Sequence, residues 1–417
     1  MADVNLAFVI VSAIIALGFA SEFIFKKTGI PDILWLIIFG LIIGPLGNVV
    51  NPQDLIGIAP YFSALAIMIL LFDSGINLKS GKLLREVPHG TVLAIAGFAF
   101  SVAATAIPAY LILRLGLVES ILLGCILGGT DSSTVVPLVS GKKSIREKTS
   151  SMLEIESIIT DPITLIIPIV LLQGLSTNGA FNFSYVLGAL TSSFSSSIFL
   201  GIAAGVAWPI LTKGLGETRY SYTLTIAYLF FIFAAAGYVG GSGAIACFIT
   251  GLVMGNIKWI TKTLNINKET SEITQETKTF NSTISFFVRS FFFVFMGATI
   301  NIKDPNMLAM GLVISLVLLG ARHLAVHASV GKAGFHADEL TLSTYMLPRG
   351  LSAAVMAPIP AVQYGLAKLA FFTEIVSSVI IFTTLITTAG TFLHMKKEGV
   401  LEEIKTKKDH KQEEKDI

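Results

Sequence analysis

The chain has 417 residues, 53% apolar and 13% charged, with a formal net charge of +2; soluble domains carry roughly 25% charged residues. That composition excludes a soluble domain with one aqueous core, and the scattering of basic residues among loops leaves no patch for nucleic acid. Apolar runs of about 20 residues, each able to cross about 30 Å of hydrocarbon as a helix, recur almost end to end without the short alternation of a barrel, so the chain reads as an all-α polytopic membrane protein.

Thirteen transmembrane helices are predicted, at about residues 6–25, 31–47, 55–74, 88–113, 119–139, 150–173, 183–211, 219–238, 241–257, 281–300, 307–330, 340–362 and 369–394. The first begins at Leu6 with no basic residue ahead of it and no small-residue cleavage site behind it, so it reads as a span and not a removable signal. Alternate connections hold nearly all the Lys and Arg: Lys26 and Lys27; Lys79, Lys82 and Arg85; Lys142, Lys143, Arg146 and Lys148; Lys213 and Arg219; Lys258 through Lys278; Lys332; and the tail. The other connections hold Arg114, Lys303 and Lys368. By the positive-inside rule this sets the N-terminus outside and the tail in the cytoplasm, which requires an odd number of spans. Trp35, Trp208 and Trp259 fall at cytoplasmic ends, where an indole keeps its ring in lipid and its N–H among headgroups. Cys125 and Cys247 sit inside apolar runs and read as packing residues. The polar stretches at about 258–279 and from Lys396 onward lack the apolar residues for a core and read as solvated helix or disorder.

Two spans look broken. Span five contains "LGGTDSSTVVP" and span twelve "MLPRGLSAAVMAP", each with Gly or Pro beside a charged residue, and Asp131 and Arg349 lie 218 residues apart. Seven spans separate the two, so they run in opposite directions, as in inverted six-helix repeats with span seven as linker and two crossed discontinuous helices. Half-helix ends offer N–H or C=O groups to ions.

A charged residue at the centre of a span costs at least about 2.5 to 3.5 kcal/mol on insertion scales, so each one needs a reason. The candidates are Asp73, Asp131, Glu156, Asp161, Arg289, Arg322 and Arg349. In span six, "ESIITDPITLIIPIV", Ser157 and Asp161 are four apart and share a helix face, as do Glu156 and Thr160, while Glu156 and Asp161 point in different directions. Two separate roles follow for the acids. Pro162 lacks an N–H and frees the Ile158 carbonyl, adding an oxygen of the kind a hard monovalent cation takes. In span five, Gly128 and Gly129 permit a break, after which Thr130, Asp131, Ser132 and Ser133 start a half-helix with capping residues. Asp131 there satisfies orphan N–H groups, offers a carboxylate to an ion, or does both. Arg322 and Arg349 read as neutralising acids or the carbonyl end of a half-helix. Arg289 either pairs with a core acid or snorkels from a span end. His323 and His327 lack a nearby acid to complete a metal site, so packing or hydrogen bonding is the stronger reading. Glu22 and Glu374 lie near span ends and read as facing headgroups.

"ESIITDP", "GGTDSS", "LFDSGINL" and "PRGLSAA" together resemble the monovalent cation:proton antiporters, particularly the NhaP-like sodium/proton exchangers of archaea and bacteria, over essentially the whole membrane portion. The resemblance implies a homodimer in the plasma membrane, with a mobile core and a dimerisation domain, exchanging Na+ or Li+ for H+ by alternating access without a cofactor. The membrane domain covers residues 1–395, with core helices at about 55–173 and 281–394, dimerisation helices at about 6–47 and 183–257, and a cytoplasmic tail over 396–417. It further implies that Asp161 binds the ion and carries the proton, with Ser157, Asp131 and the Thr130 carbonyl as further ligands and Na+ held at Asp161, Asp131 and Ser157. Asp73 stands where relatives often have Glu. Glu156 matches a structural acid paired with Arg322, and Thr160, Arg349 and Arg289 support the site. Two departures stand out: Thr160 precedes Asp161 where one-for-one exchangers usually have Asn and electrogenic ones Asp, and Ser132 stands where many have Pro. Thr160 holds no second titrating proton, so electroneutral exchange is expected, with K+/H+ exchange as the alternative. An ion channel needs no titrating carboxylate, and an intramembrane aspartyl protease would need a "YD" and "GxGD" pair that is missing.

Overall fold

The computed structural model describes residues 4–28, 30–49, 52–77, 87–140, 142, 145–175, 183–212, 221–257, 275–300 and 305–413. Lys79, Lys82, Arg85, Lys143, Lys213, Arg219, Trp259 and Lys303, together with residues 258–274, lie outside them. Among the described residues the chain is helical, without β-strands. In chain order the helices are α1 (Val4–Thr28), α2 (Asp32–Leu41), α3 (Pro52–Asn77), α4 (Val87–Leu111), α5 (Leu117–Ile126), α6 (Ser132–Val139), α7 (Glu147–Leu175), α8 (Phe183–Thr212) and α9 (Ser221–Tyr238). They continue with α10 (Gly243–Gly255), α11 (Gln275–Thr299), α12 (Pro305–Val330), α13 (Ala337–Tyr345), α14 (Leu351–Met356), α15 (Ile359–Val362) and α16 (Phe372–Glu413). Six described helices are long and apolar enough to cross a membrane, and shorter apolar helices accompany them. The protein is a multi-pass membrane protein.

Local sequence explains the interruptions. α2 ends in a π-turn over Ile42–Leu46, where Pro45 cannot donate and Gly44 leaves helical geometry. α5 stops at Ile126 and the chain runs through Gly128 and Gly129 to Asp131, whose extended backbone precedes α6. α13 stops at Tyr345 because Pro348 disfavours helical geometry at Leu347, and α14 resumes at Leu351. The two unwound segments touch: the Asp131 N–H donates to the Pro348 carbonyl at 2.9 Å. α7, by contrast, continues through Pro162 and Pro168 as one helix.

α3 packs most extensively on α10, and α11 on α2. Glycines are the physical reason, because helices in lipid associate through close backbone contact. Gly40 of α2 and Gly44 of the π-turn after it face the backbone of α11 at Val294, Gly297 and Ala298, while Gly251 and Gly255 of α10 face α3 at Phe72 and Ile76. A side chain at Gly251 would collide with the Phe72 carbonyl. On the other side, α4 packs on α12, α5 and α7, and α12 also packs on α16.

Some surface expectations change. Trp35 is exposed, whereas Trp208 is 9% exposed and stacks on Tyr228 at 4.8 Å, so its ring packs in protein and not among headgroups. Cys125 and Cys247 are buried thiols. The last helix runs on to Glu413, into the charged tail.

Candidate functional site

The crossing of the unwound segments places backbone polar groups inside an apolar core, where each must find a partner. The carbonyl end of α5 is met by Arg349, whose Nη1 donates to the Gly128 carbonyl at 3.3 Å and to that of Gly129, while Nη2 donates to Ser101 Oγ at 2.9 Å. The start of α14 is met by Asp131, whose Oδ1 accepts the Leu351 N–H at 3.3 Å. The same carboxylate accepts the hydroxyls of Ser133 at 2.7 Å and Thr134 at 2.6 Å in the first turn of its own helix α6. Each broken span therefore carries the charge that its partner's half-helix end requires. Gly350 makes this possible, since the Asp131 carboxyl fills the space that a side chain there would occupy.

α7 lies against this crossing. The Thr130 N–H donates to Thr160 Oγ1 at 3.1 Å, the two hydroxyls are 3.3 Å apart, and the Thr160 hydroxyl is 3.3 Å from the Thr130 carbonyl. One residue on, Asp161 accepts the hydroxyl of Ser132, the Ser132 N–H at 3.4 Å and the hydroxyl of Ser352 at 3.1 Å. Asp161 thus touches the first turns of both half-helices, α6 and α14. Among the described residues no Lys or Arg lies within ion-pair distance of it. Ser157 is one turn away and fully buried, but its hydroxyl donates to the Glu154 carbonyl at 3.0 Å and not to Asp161.

Glu156 points elsewhere, as the helix geometry predicts. It pairs with Arg322 of α12 in two parallel bonds, Nη1 to Oε1 and Nη2 to Oε2 at 2.7 Å, while Arg322 Nε donates to the Ser343 carbonyl at 2.9 Å. Both residues are at most 3% exposed, and the absence of a side chain at Gly97 of α4 leaves room for the pair.

A cavity of about 1100 Å³ leads to Asp161, and Asp73, Asp131, Ser132 and Ser352 also line it. Its walls come from the middle of α1, the last turns of α3, the first turns of α6 and the middle of α11, with α7 and α14 beside Asp161. Glu22, expected to face headgroups, lines the cavity instead. Glu374 is half-buried in the first turn of α16. Arg289 also lines the cavity and pairs at 3.1 Å with Asp32, an acid that the sequence reading did not single out. Asp32 follows Pro31 at the start of an apolar run, in the first turn of α2, where nothing local marks it as a buried charge. The hydroxyls of Ser132 and Ser352 were missed as partners of Asp161. Their signal was positional, since each lies in the first turn of a half-helix. His323 and His327 lie on the exposed face of α12 with ring centroids 4.1 Å apart, and the described residues contain no group of three metal-binding side chains.

Chemically, the floor of the cavity offers carboxylate and hydroxyl oxygens without nitrogen or sulfur ligands, a donor set suited to a hard cation. Three protein donors, one of them a fixed backbone N–H, occupy Asp131. Asp161 faces the cavity with hydroxyl partners that can turn a lone pair toward a cation.

A family model described as "Sodium/hydrogen exchanger, transmembrane" matches residues 10–397. The K(+)/H(+) antiporter NhaP2 of Shewanella sp. (strain ANA-3) is 28% identical over 257 residues, which is 61% of this chain and 44% of that protein. The chain therefore spans less than half the length of that relative. The probable Na(+)/H(+) antiporter 2 of Methanocaldococcus jannaschii is 28% identical over 355 residues, covering 81% of this chain and 80% of that protein. The structure of the sodium proton antiporter MjNhaP1 from Methanocaldococcus jannaschii at pH 8 superposes with a TM-score of 0.74 over 95% of this chain and 98% of that one, at 22% identity, which shows a shared fold.

Proposed function

Since the chain belongs to the sodium/hydrogen exchanger family, whose members are transporters and not enzymes, we propose that it exchanges Na+ or Li+ for H+ by alternating access, with Asp161 binding cation and proton in turn. The observation that carries this reading is the position of Asp161, a carboxylate without a basic partner among the described residues, set at a cavity wall between two half-helix starts. Ser132 and Ser352 complete the oxygen set, with Asp131 and Asp73 adding negative charge and the Thr130 carbonyl close by. Ser157 is a less direct ligand, because reaching a cation requires its hydroxyl to leave the Glu154 carbonyl. Glu156 with Arg322, and Arg349 on the α5 carbonyls, hold the frame. Asp161 crosses between the two faces only when a cation or a proton neutralises it, so competition for one carboxylate produces exchange. Thr160 adds no second titrating group, which favours one-for-one, electroneutral stoichiometry.

The same reading takes thirteen spans in two inverted six-helix repeats. In its support, the α2–α11 and α3–α10 crossings exchange places under the repeat, and both are closed by glycines. It also takes a homodimer in the plasma membrane with the N-terminus outside; the cavity, lined by the last turns of α3 and by the α6 half of the broken span five, then opens to the cytoplasm. K+/H+ exchange is the second reading, favoured by relatives that carry that name. Proteoliposomes driven by Na+, Li+ or K+ in turn, with and without an imposed potential, test the exchange, the choice of cation and the stoichiometry. Asp161→Asn abolishes exchange while the protein stays folded, and retained activity would sink the site. A rate that responds to the potential refutes electroneutrality. The apparent KM for the cation falls as pH rises, by at most roughly tenfold per unit, because fewer protons compete for the same carboxylate.

A further inference from the structure

The cavity that leads to Asp161 has four acids on its walls, Glu22, Asp73, Asp131 and Asp161, and one arginine, Arg289. A guanidinium there is out of keeping with a path for cations. It lines the cavity, so its field reaches any ion approaching the carboxylates. Its side chain is 18% exposed and its partner Asp32 only 6%, with Nη2 and Oδ2 3.1 Å apart. Asp32 is absent from the cavity lining and sits behind the arginine at the start of α2, where Oδ1 also accepts the Ile33 N–H at 3.1 Å. Arg289 Nε is buried without a hydrogen-bond partner, so the Asp32 contact is a charge contact more than a filled network.

We propose that Asp32 is a positioning residue for cation entry: it cancels the charge of Arg289 and turns the guanidinium toward α2, which keeps the cavity attractive to monovalent cations. The inference rests on the exchange reading above. A buried acid behind a cavity-facing base takes the positive charge of Arg289 out of the field that the Asp131 and Asp161 carboxylates present to an ion. Without Asp32 the arginine becomes an uncompensated positive charge that repels the incoming ion and is free to turn toward the wall carboxylates. Charge complementarity of this kind acts on encounter more than on the chemical step.

Three variants in proteoliposomes separate this role from a merely structural one: Asp32→Asn, Arg289→Gln and the double variant Asp32→Asn/Arg289→Gln. Asp32→Asn raises the KM for the transported cation by roughly three- to tenfold, the Boltzmann factor of one added charge acting across a wet cavity, with the change carried by KM and not by kcat. Arg289→Gln lowers KM, and the double variant returns it to within about twofold of the parent, since the two charges are removed together. The Asp32→Asn effect shrinks as an inert electrolyte is added, because salt screens a charge in water. A double variant as impaired as Asp32→Asn, or an Asp32→Asn effect confined to kcat, overturns the proposal. If Asp32→Asn does not assemble, Arg289→Gln alone decides it, with a lower KM in support and a higher one against. Parent protein that exchanges, and loses exchange in Asp161→Asn, keeps the functional reading separate from this one.

Discussion

Removing the acid of the Glu156–Arg322 pair leaves a guanidinium in the centre of the helix bundle. Arg322 donates twice to Glu156 and once to the Ser343 carbonyl, tying α7 to α12 and to the start of the second broken span. Both side chains are at most 3% exposed, so water cannot replace a lost partner. Breaking one side of a buried pair costs about 3 to 5 kcal/mol. Glu156→Gln keeps a carbonyl acceptor and falls near the low end, about 3 kcal/mol. Arg322→Gln abandons the Glu156 carboxylate to an apolar core and falls nearer 5 kcal/mol. The double variant leaves no buried charge, and its loss is smaller than the sum of the two by about 2 to 3 kcal/mol. Unfolding in mixed micelles with increasing SDS measures all four proteins. Additive losses, or a single variant costing less than about 1 kcal/mol, would refute the claim that this pair holds α7 in register beneath Asp161.

Two further outcomes follow from the same geometry. Thr160→Val strands the buried Thr130 N–H, which has Thr160 Oγ1 as its acceptor, and costs about 1 to 3 kcal/mol; Thr160→Ser keeps the acceptor and is nearly neutral in the same unfolding assay. Gly251→Leu forces α10 away from the Phe72 carbonyl of α3 and costs about 3 kcal/mol by overpacking, which is read as a lower midpoint and reduced recovery of folded protein; an unchanged midpoint would show that the two helices do not need their close crossing.

Much of the molecule was legible in one dimension. Hydrophobic runs located the helices because lipid forces every spanning backbone to satisfy its own hydrogen bonds. The breaks near Gly128 and Pro348 were visible because glycine and proline end helices for local reasons, and the separate directions of Glu156 and Asp161 followed from helical period alone. Which helices pair was not visible: glycine-mediated contacts between segments distant in sequence set the partners of α3 and α11.

The sequence by itself singled out most of the charges inside the membrane, Asp32 and Glu22 excepted, and pointed to ion chemistry, since the insertion cost of a charge is a property of one residue in one span. Only the tertiary structure decided their partners. It brought Asp131 to the Leu351 N–H, Arg349 to the carbonyls of Gly128 and Gly129, Ser132 and Ser352 to Asp161, and Asp32 to Arg289. Each of those pairings except Ser132–Asp161 joins residues at least 191 positions apart, and that one still crosses from one span to the next. A hydrogen bond reaches about 3 Å, so its partner is set by how helices cross, which no local pattern along the chain records.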